Sequence, residues 1–112
     1  MKATYWQRGE ALDYKNTTGA KLEANTVIAL GSRIGVIGCD IEAGATSPGS
    51  LHVMGVYILP KDTAAIDAGA EVYFDSGNDV ITATSGASTV KAGYAVEAAL
   101  AADTTVKVSI NA

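Results

Sequence analysis

The stretch SLHVMGVYILPK, residues 50–61, constrains the fold of this chain more than any other segment. Successive side chains of a strand point to opposite faces, so residues two apart share a face. One face is wholly apolar, and the other is apolar after a single polar residue. That second face is formed by His52, Met54, Val56 and Ile58. A strand with one wet face would alternate apolar and polar residues. The pattern therefore predicts one long strand, ended by Pro60, whose second face is covered by another sheet of the chain or by another chain.

Shorter stretches with β-branched residues and flanking turn signals predict the remaining strands. Gly31-Ser32 and the sequence DSGND, residues 75–79, are typical hairpin turns. Residues 62–67 allow one short helical turn, capped by Asp62 or Thr63 and closed by Gly69. The fold class predicted is all-β: a small β-barrel or sandwich of about eight short strands, with one short helical turn near 62–67.

A chain of 112 residues is long enough for one domain. Residues 1–8 are predicted to form an N-terminal arm, and residues 9–112 a single β domain. The arm contains Tyr5, Trp6 and Arg8, and these residue types dominate the energetics of protein interfaces. Two interpretations stay open: the arm contacts a partner, or Trp6 plugs one end of the barrel.

Composition excludes several functional classes. The net charge is −4 and the Lys and Arg residues are scattered, which argues against nucleic acid as a partner. No apolar run approaches the length of a membrane helix, and the first residues lack a secretory signal pattern, so we expect no membrane association. The one cysteine, Cys39, excludes an internal disulfide and suits a reducing compartment.

Catalytic constellations are almost absent. Cys39 and His52 could meet on neighbouring strands as a nucleophile and base, although no oriented third group accompanies them. Cys39, Asp40 and Glu42 lie close in sequence, but as a metal site they would need further ligands. Phosphate-binding glycine motifs do not occur. Lys61 and Lys91 are expected to be solvated charges beside loops. The sequence thus predicts no enzyme activity, no cofactor and no metal.

Five segments in a fixed order resemble a known family. They are RGEALDYKNTTGAKLEANTVIALGSRIGVIGCDIEAGA, VMGVYILPK, IDAGAEVYFD, AGYAVEAA and VKVSI. The order and spacing are similar to those of small β-rich phage and prophage proteins, long catalogued as a domain of unknown function and often labelled recombinases. Characterised members are capsid decoration, or cement, proteins. The family usually has Gly-Asp where this chain has Asn25-Thr26 and Ala70-Glu71, which are turn-level departures. The recombinase label conflicts with the missing phosphate cradle.

The resemblance implies a trimer on the outer surface of a phage shell, made in the host cytoplasm and carried on the virion. The implied partners are the major capsid protein and other copies of this chain. Tyr5, Trp6 and Arg8 would then contact the shell, and Met54, Val56 and Ile58 would form the subunit interface. Two alternatives remain: a small soluble β-barrel binding module, and an enzyme using Cys39 and His52.

Overall fold

The computed structural model describes residues 1–44 and 48–112 of the chain. Within these ranges, nine strands form two sheets in which neighbouring strands are antiparallel. The strands are β1 Ala11–Tyr14, β2 Val27–Leu30, β3 Arg33–Ile37, β4 Gly49–His52, β5 Val56–Pro60, β6 Glu71–Asp75, β7 Val80–Thr82, β8 Thr89–Ala95 and β9 Thr105–Ile110. Within the described ranges, no helix has the length and apolar composition needed to cross a bilayer. The all-β prediction is confirmed, with nine strands where about eight were expected.

The two sheets have different strand orders. The four-stranded sheet runs β1-β4-β3-β2, and the five-stranded sheet runs β5-β9-β8-β6-β7. Both predicted hairpins form: Gly31 adopts a positive φ of 59° between β2 and β3, and residues 76–79 connect β6 to β7. In the second turn the Asp75 carboxylate accepts the backbone N–H groups of Gly77 and Asn78, an arrangement that aspartate commonly makes in turns.

The five-stranded sheet curls until its two outer strands almost meet. Lys61, directly after β5, forms an isolated parallel bridge with Ile81 of β7, and the Asp62 N–H donates to the Ile81 carbonyl at 3.0 Å. The Lys61 ammonium is buried and donates to the carbonyl oxygens of Asp62 and Asp103 at 2.8 and 3.1 Å. The sheet is therefore a small barrel with one seam, and the prediction that Lys61 is solvated is wrong.

The stretch 50–61 is not one strand. It breaks at residues 53–55, so that β4 belongs to the four-stranded sheet and β5 to the barrel. Gly55 has a φ of +123°, which a side chain would disfavour. The predicted alternation of faces survives the break, because Leu51 and Leu59 are buried while Val56 and Ile58 are exposed. Periodicity located the faces correctly but gave no sign of the corner between two sheets.

The short helical turn predicted near 62–67 does not form. Residues 63–64 make a bend in which the Asp62 carboxylate accepts the Ala64 N–H at 3.1 Å. Ile66 then pairs with Ala99 through two backbone hydrogen bonds of 2.8 Å. The Asp62 side chain accepts a backbone N–H two residues later, as a helix-capping residue would. The helix itself does not follow, because Ile66 forms its backbone hydrogen bonds with the distant residue Ala99. The strand that precedes the last one, β8, occupies Thr89–Ala95.

The four-stranded sheet separates two apolar clusters. Ile34 and Val36 of β3 face the barrel and join its interior, which includes Leu59, Phe74 and Val108. The opposite face carries a smaller cluster, whose buried members are Ile37, Ile41 and Leu51. Each such aliphatic side chain contributes about 1.5–3 kcal/mol when it is fully removed from water. β3 contributes residues to both clusters from its two faces, and it therefore separates one cluster from the other.

Asn111 joins the barrel to the four-stranded sheet. Its side-chain oxygen accepts the Ile34 N–H at 3.1 Å, and its amide nitrogen donates to the carbonyls of Ile34 and Val53 at 2.7 and 2.9 Å. Its own backbone N–H donates to Ala92, and the preceding Ile110 N–H donates to Gly55. Asn111 has a positive φ of 58°, which asparagine tolerates better than most residues. One side chain thus fixes β3, the corner at 53–55 and the end of β9 together.

Replacing Asn111 by aspartate tests this junction. An Asn111→Asp side chain still accepts the Ile34 N–H, but the carboxylate cannot donate to the two carbonyl oxygens. We expect the free energy of unfolding to fall by about 1–3 kcal/mol at neutral pH. Urea denaturation should show the loss shrinking as the pH falls, because the protonated acid regains one donor. Asn25→Asp, at an exposed position with a φ of 70°, is the control and should have little effect.

Gly93 allows the close approach of β8 and β9. Its φ is +144°, and a Cβ at this position would overlap the Ser109 carbonyl oxygen. Gly93→Ala is therefore expected to lower the free energy of unfolding by about 2 kcal/mol or more, through strain and overpacking. Gly86→Ala is the matched control, because a Cβ there has no atom within 4 Å. Equal denaturation midpoints for the two variants would contradict the close-approach explanation.

Candidate interface surfaces

Residues 1–8 form an arm with no strand or helix, and every one of these residues is exposed. Trp6 is 83% exposed and Tyr5 is 80% exposed. The Arg8 guanidinium lies 3.5 Å from the Glu10 carboxylate in a surface ion pair, which contributes little to stability. The interpretation that Trp6 plugs the barrel is therefore wrong. Tyr5, Trp6 and Arg8, the three residues predicted to contact a partner, are all exposed on the arm.

The arm leaves the four-stranded sheet beside the corner between the two sheets. The Glu10 carbonyl accepts the Val53 N–H at 3.0 Å, and Ala11 pairs with His52 at the start of β1. A shallow concavity of about 270 Å³ at this point is lined by Glu10, His52, Met54 and Gly55. The beginning of the arm is thereby held next to the first residue of the exposed apolar strip described next.

An apolar strip runs along the outside of the barrel at its β5 edge. It consists of Met54, Val56 and Ile58, which are 56%, 58% and 67% exposed. Their cross-strand neighbours on β9 are polar: Val56 pairs with Ser109 and Ile58 with Lys107. The interpretation that a second sheet of the same chain covers this face is wrong. Exposed apolar patches of this kind commonly mark contacts with other molecules.

Tyr94 and Leu100 are further exposed apolar residues that were not predicted from the sequence. Tyr94 of β8 pairs with Ser109, which in turn pairs with Val56, so its ring extends the row that begins on the strip. Leu100 lies in the loop between β8 and β9 and is highly exposed. Tyr94 lies between Gly93 and Ala95, which are both buried. This two-residue alternation could have predicted that the Tyr94 side chain points outward. Leu100 lies in a loop, where no two-residue periodicity predicts whether a side chain is exposed.

Cys39 and His52 have different surroundings in the described part of the chain. Cys39 is exposed, while His52 is half-buried with its ring packed against the backbone of Gly38. Among the side-chain hydrogen bonds of residues 1–44 and 48–112, none joins the two. No group of three or more His, Cys, Asp or Glu side chains in this part of the chain is placed to hold a metal ion. Proximity in sequence between Cys39, Asp40 and Glu42 therefore does not create a site in the described residues.

Asp40 has a structural role at the surface. Its carboxylate accepts the Ala24 N–H at 2.8 Å and lies 3.4 Å from the Lys21 ammonium. The Ala24 N–H, followed by Lys21, holds the pKa of Asp40 below its ordinary 3.8. The same contact with Asp40, helped by nearby Glu42, raises the pKa of Lys21. These contacts join the loop 21–26 to the segment after β3.

The described residues form further concavities away from the arm. One of about 220 Å³ lies where β2 approaches the barrel seam, lined by Val27, Pro60, Phe74 and Ile81 among others. This volume is below the roughly 300–1,000 Å³ typical of small-molecule sites. A polar concavity of about 380 Å³ is bordered by Arg33, Lys91 and residues 111–112. The apolar groove has room for a side chain but not for a nucleotide-sized ligand.

The Asp40 contacts predict a specific acid sensitivity. The pKa of Asp40 is lower in the folded chain, so the stability that it contributes is present above its unfolded pKa and is lost as the pH falls through the folded pKa. Asp40→Asn should lower stability at neutral pH and reduce the decline below about pH 4. Urea midpoints measured across this range test this. Asp67→Asn, at an exposed turn, removes the same charge and is the control. Identical midpoints for the two variants across this range would contradict a specific role for the Asp40 contacts.

Comparison with known proteins identifies the family. The sequence pattern of the phage cement protein family matches residues 6–110, nearly the whole chain. Comparisons with curated proteins and with solved structures gave no match. The matched range begins at Trp6 in the arm and includes both sheets and the apolar strip. The resemblance inferred from the five sequence segments is confirmed, and the chain belongs to the phage cement protein family.

Proposed function

We propose that this protein binds the outer surface of a phage shell and holds neighbouring shell subunits together against the pressure of packaged DNA. The observation that carries the proposal is the combination of family membership with exposed aromatic and aliphatic side chains. Trp6 and Ile58 are each more than half exposed, and an isolated chain gains nothing from keeping them in water. A protein that works by adhesion needs such side chains, whereas an enzyme needs an assembled reaction site.

The arm is proposed as the shell contact through Tyr5, Trp6 and Arg8. Aromatic and arginine side chains supply most of the energy at protein interfaces. An extended segment can also add a strand to an exposed sheet edge on a partner. The described residues 1–8 make no strand pairing of their own, so their backbone groups are available for this kind of contact.

Met54, Val56 and Ile58 are proposed to form the contact between copies in a homotrimer. Burial of three aliphatic side chains on association would remove the exposed strip from water. A trimer would also bind the shell through three arms at once, and linked contacts of this kind raise avidity by about 10²–10⁴ without new contacts. A stable interface of standard size buries about 800 Å² on each partner, so neighbours of the strip such as Tyr94 and Leu100 would have to take part.

Shell binding can be measured by sedimenting the purified protein with expanded and unexpanded phage shells. We expect co-sedimentation of the wild-type chain, and a loss of affinity of at least about tenfold for Tyr5→Ala/Trp6→Ala, because such residues act as hot spots. Leu30→Ser, an exposed apolar residue on β2, is the control and should bind normally. Unchanged binding of the arm variant would remove the arm from the shell contact. Failure of the wild-type chain to bind any shell tested would reject the function itself.

A further inference from the structure

The apolar strip and the base of the arm, proposed above as separate contacts, both begin beside one concavity. Glu10 and Met54 border the same concavity, and the Glu10–Val53 hydrogen bond fixes the beginning of the arm at the corner where the strip begins. Any partner that covers Met54, Val56 and Ile58 therefore approaches the point where the arm leaves the body. If the strip is covered by another copy of the chain, the arm leaves the body at the boundary between two copies.

The arm is long enough to cross that boundary. Eight extended residues span up to about 26–29 Å, which is comparable to the shortest dimension of the molecule, 24 Å. All eight residues are exposed, so the arm does not pack on its own body. An arm that starts beside the strip and does not fold back can reach the surface of the neighbouring copy.

The charges of the arm and the body are complementary. Residues 1–8 contain Lys2 and Arg8 and no Asp or Glu. The remaining residues therefore hold six of the eight Lys and Arg residues and all twelve acids, a net charge of −6 against +2 for the arm. Opposite charges on two surfaces speed their encounter and disfavour wrong partners. The body of a second copy carries a net negative charge, which suits a basic, aromatic arm.

We infer that the arm of each copy lies across the acidic body of the adjacent copy, so that the arm and the strip together form a single self-association surface. This inference rests on the proposed function, because it takes the strip as the contact between copies. It adds that each arm begins on one copy and contacts the adjacent copy. Any shell contact made by the arm then depends on assembly of the oligomer.

Charge reversal tests the inference with a matched control. Lys2→Glu/Arg8→Glu and Lys15→Glu/Arg33→Glu each replace two exposed cations by acids and change the net charge from −4 to −8. Both variants therefore repel other copies equally through net charge, and only the first changes the arm. Sedimentation velocity over a range of protein concentrations should show self-association weakened about tenfold more by the arm variant. The difference should shrink as salt rises from about 0.05 M to 1 M, because salt screens exposed charges.

A second measurement asks directly where the arm lies. Isotopically heavy and light chains are unfolded, mixed and refolded together, then treated with a carbodiimide. The reagent joins a lysine amine to a carboxylate as an amide and takes up the released water to become a urea. We expect Lys2 to be linked to carboxylates of the other isotope as well as of its own. Links confined to chains of one isotope, with Lys2 reacting, would overturn the inference.

Deletion of residues 2–8 separates failure of the inference from failure of the function. Loss of self-association together with loss of shell binding supports the inference. Unchanged oligomer mass with weaker shell binding would leave the arm as a shell contact alone and overturn the inference while the proposed function stands. A wild-type chain that stays monomeric at every concentration would also overturn it. Circular dichroism of each variant confirms that the sheets are intact.

Discussion

The side chain of Asn111 is the interaction on which the arrangement of the two sheets depends. It binds both backbone groups of Ile34 and the carbonyl of Val53, and so supplies the backbone partners that a neighbouring strand would otherwise provide. Buried backbone groups are costly to leave without partners. The asparagine follows the last strand directly and adopts a positive φ, which turns its amide towards β3. A barrel and a separate sheet thereby become one packed unit without a long connecting strand.

The corner at residues 53–55 determines which apolar residues face water. Because the chain turns there from one sheet to the other, Leu51 faces the smaller core and Leu59 faces the barrel interior. The alternate residues then lie on the outside of the barrel beside the origin of the arm. The surface that carries the proposed contacts is thus a direct result of how the two sheets are joined.

Much of this architecture could be predicted from local sequence patterns. Two-residue periodicity predicted the faces of 50–61, and glycine and aspartate signals located the hairpins at 31–32 and 76–79, because both depend on neighbours in sequence. The break at Gly55 depends on contacts with Glu10 and Ile110, which lie far away in sequence. The burial of Lys61 depends likewise on the carbonyl of Asp103. Sequence patterns predicted the arm and the strip separately. That the base of the arm lies beside the strip follows only from the register of β1 against β4.

That register has a mechanical consequence. β1 is an outer strand of its sheet and is paired with β4 over four residues, from Ala11 to Tyr14. Tension on the arm that runs parallel to β1 loads these pairings simultaneously, in shear, whereas tension perpendicular to the sheet peels them off one after another. The same four residue pairs are therefore strong in one direction and weak in the other. The angle at which the arm is pulled decides how much force the domain transmits before its first strand detaches.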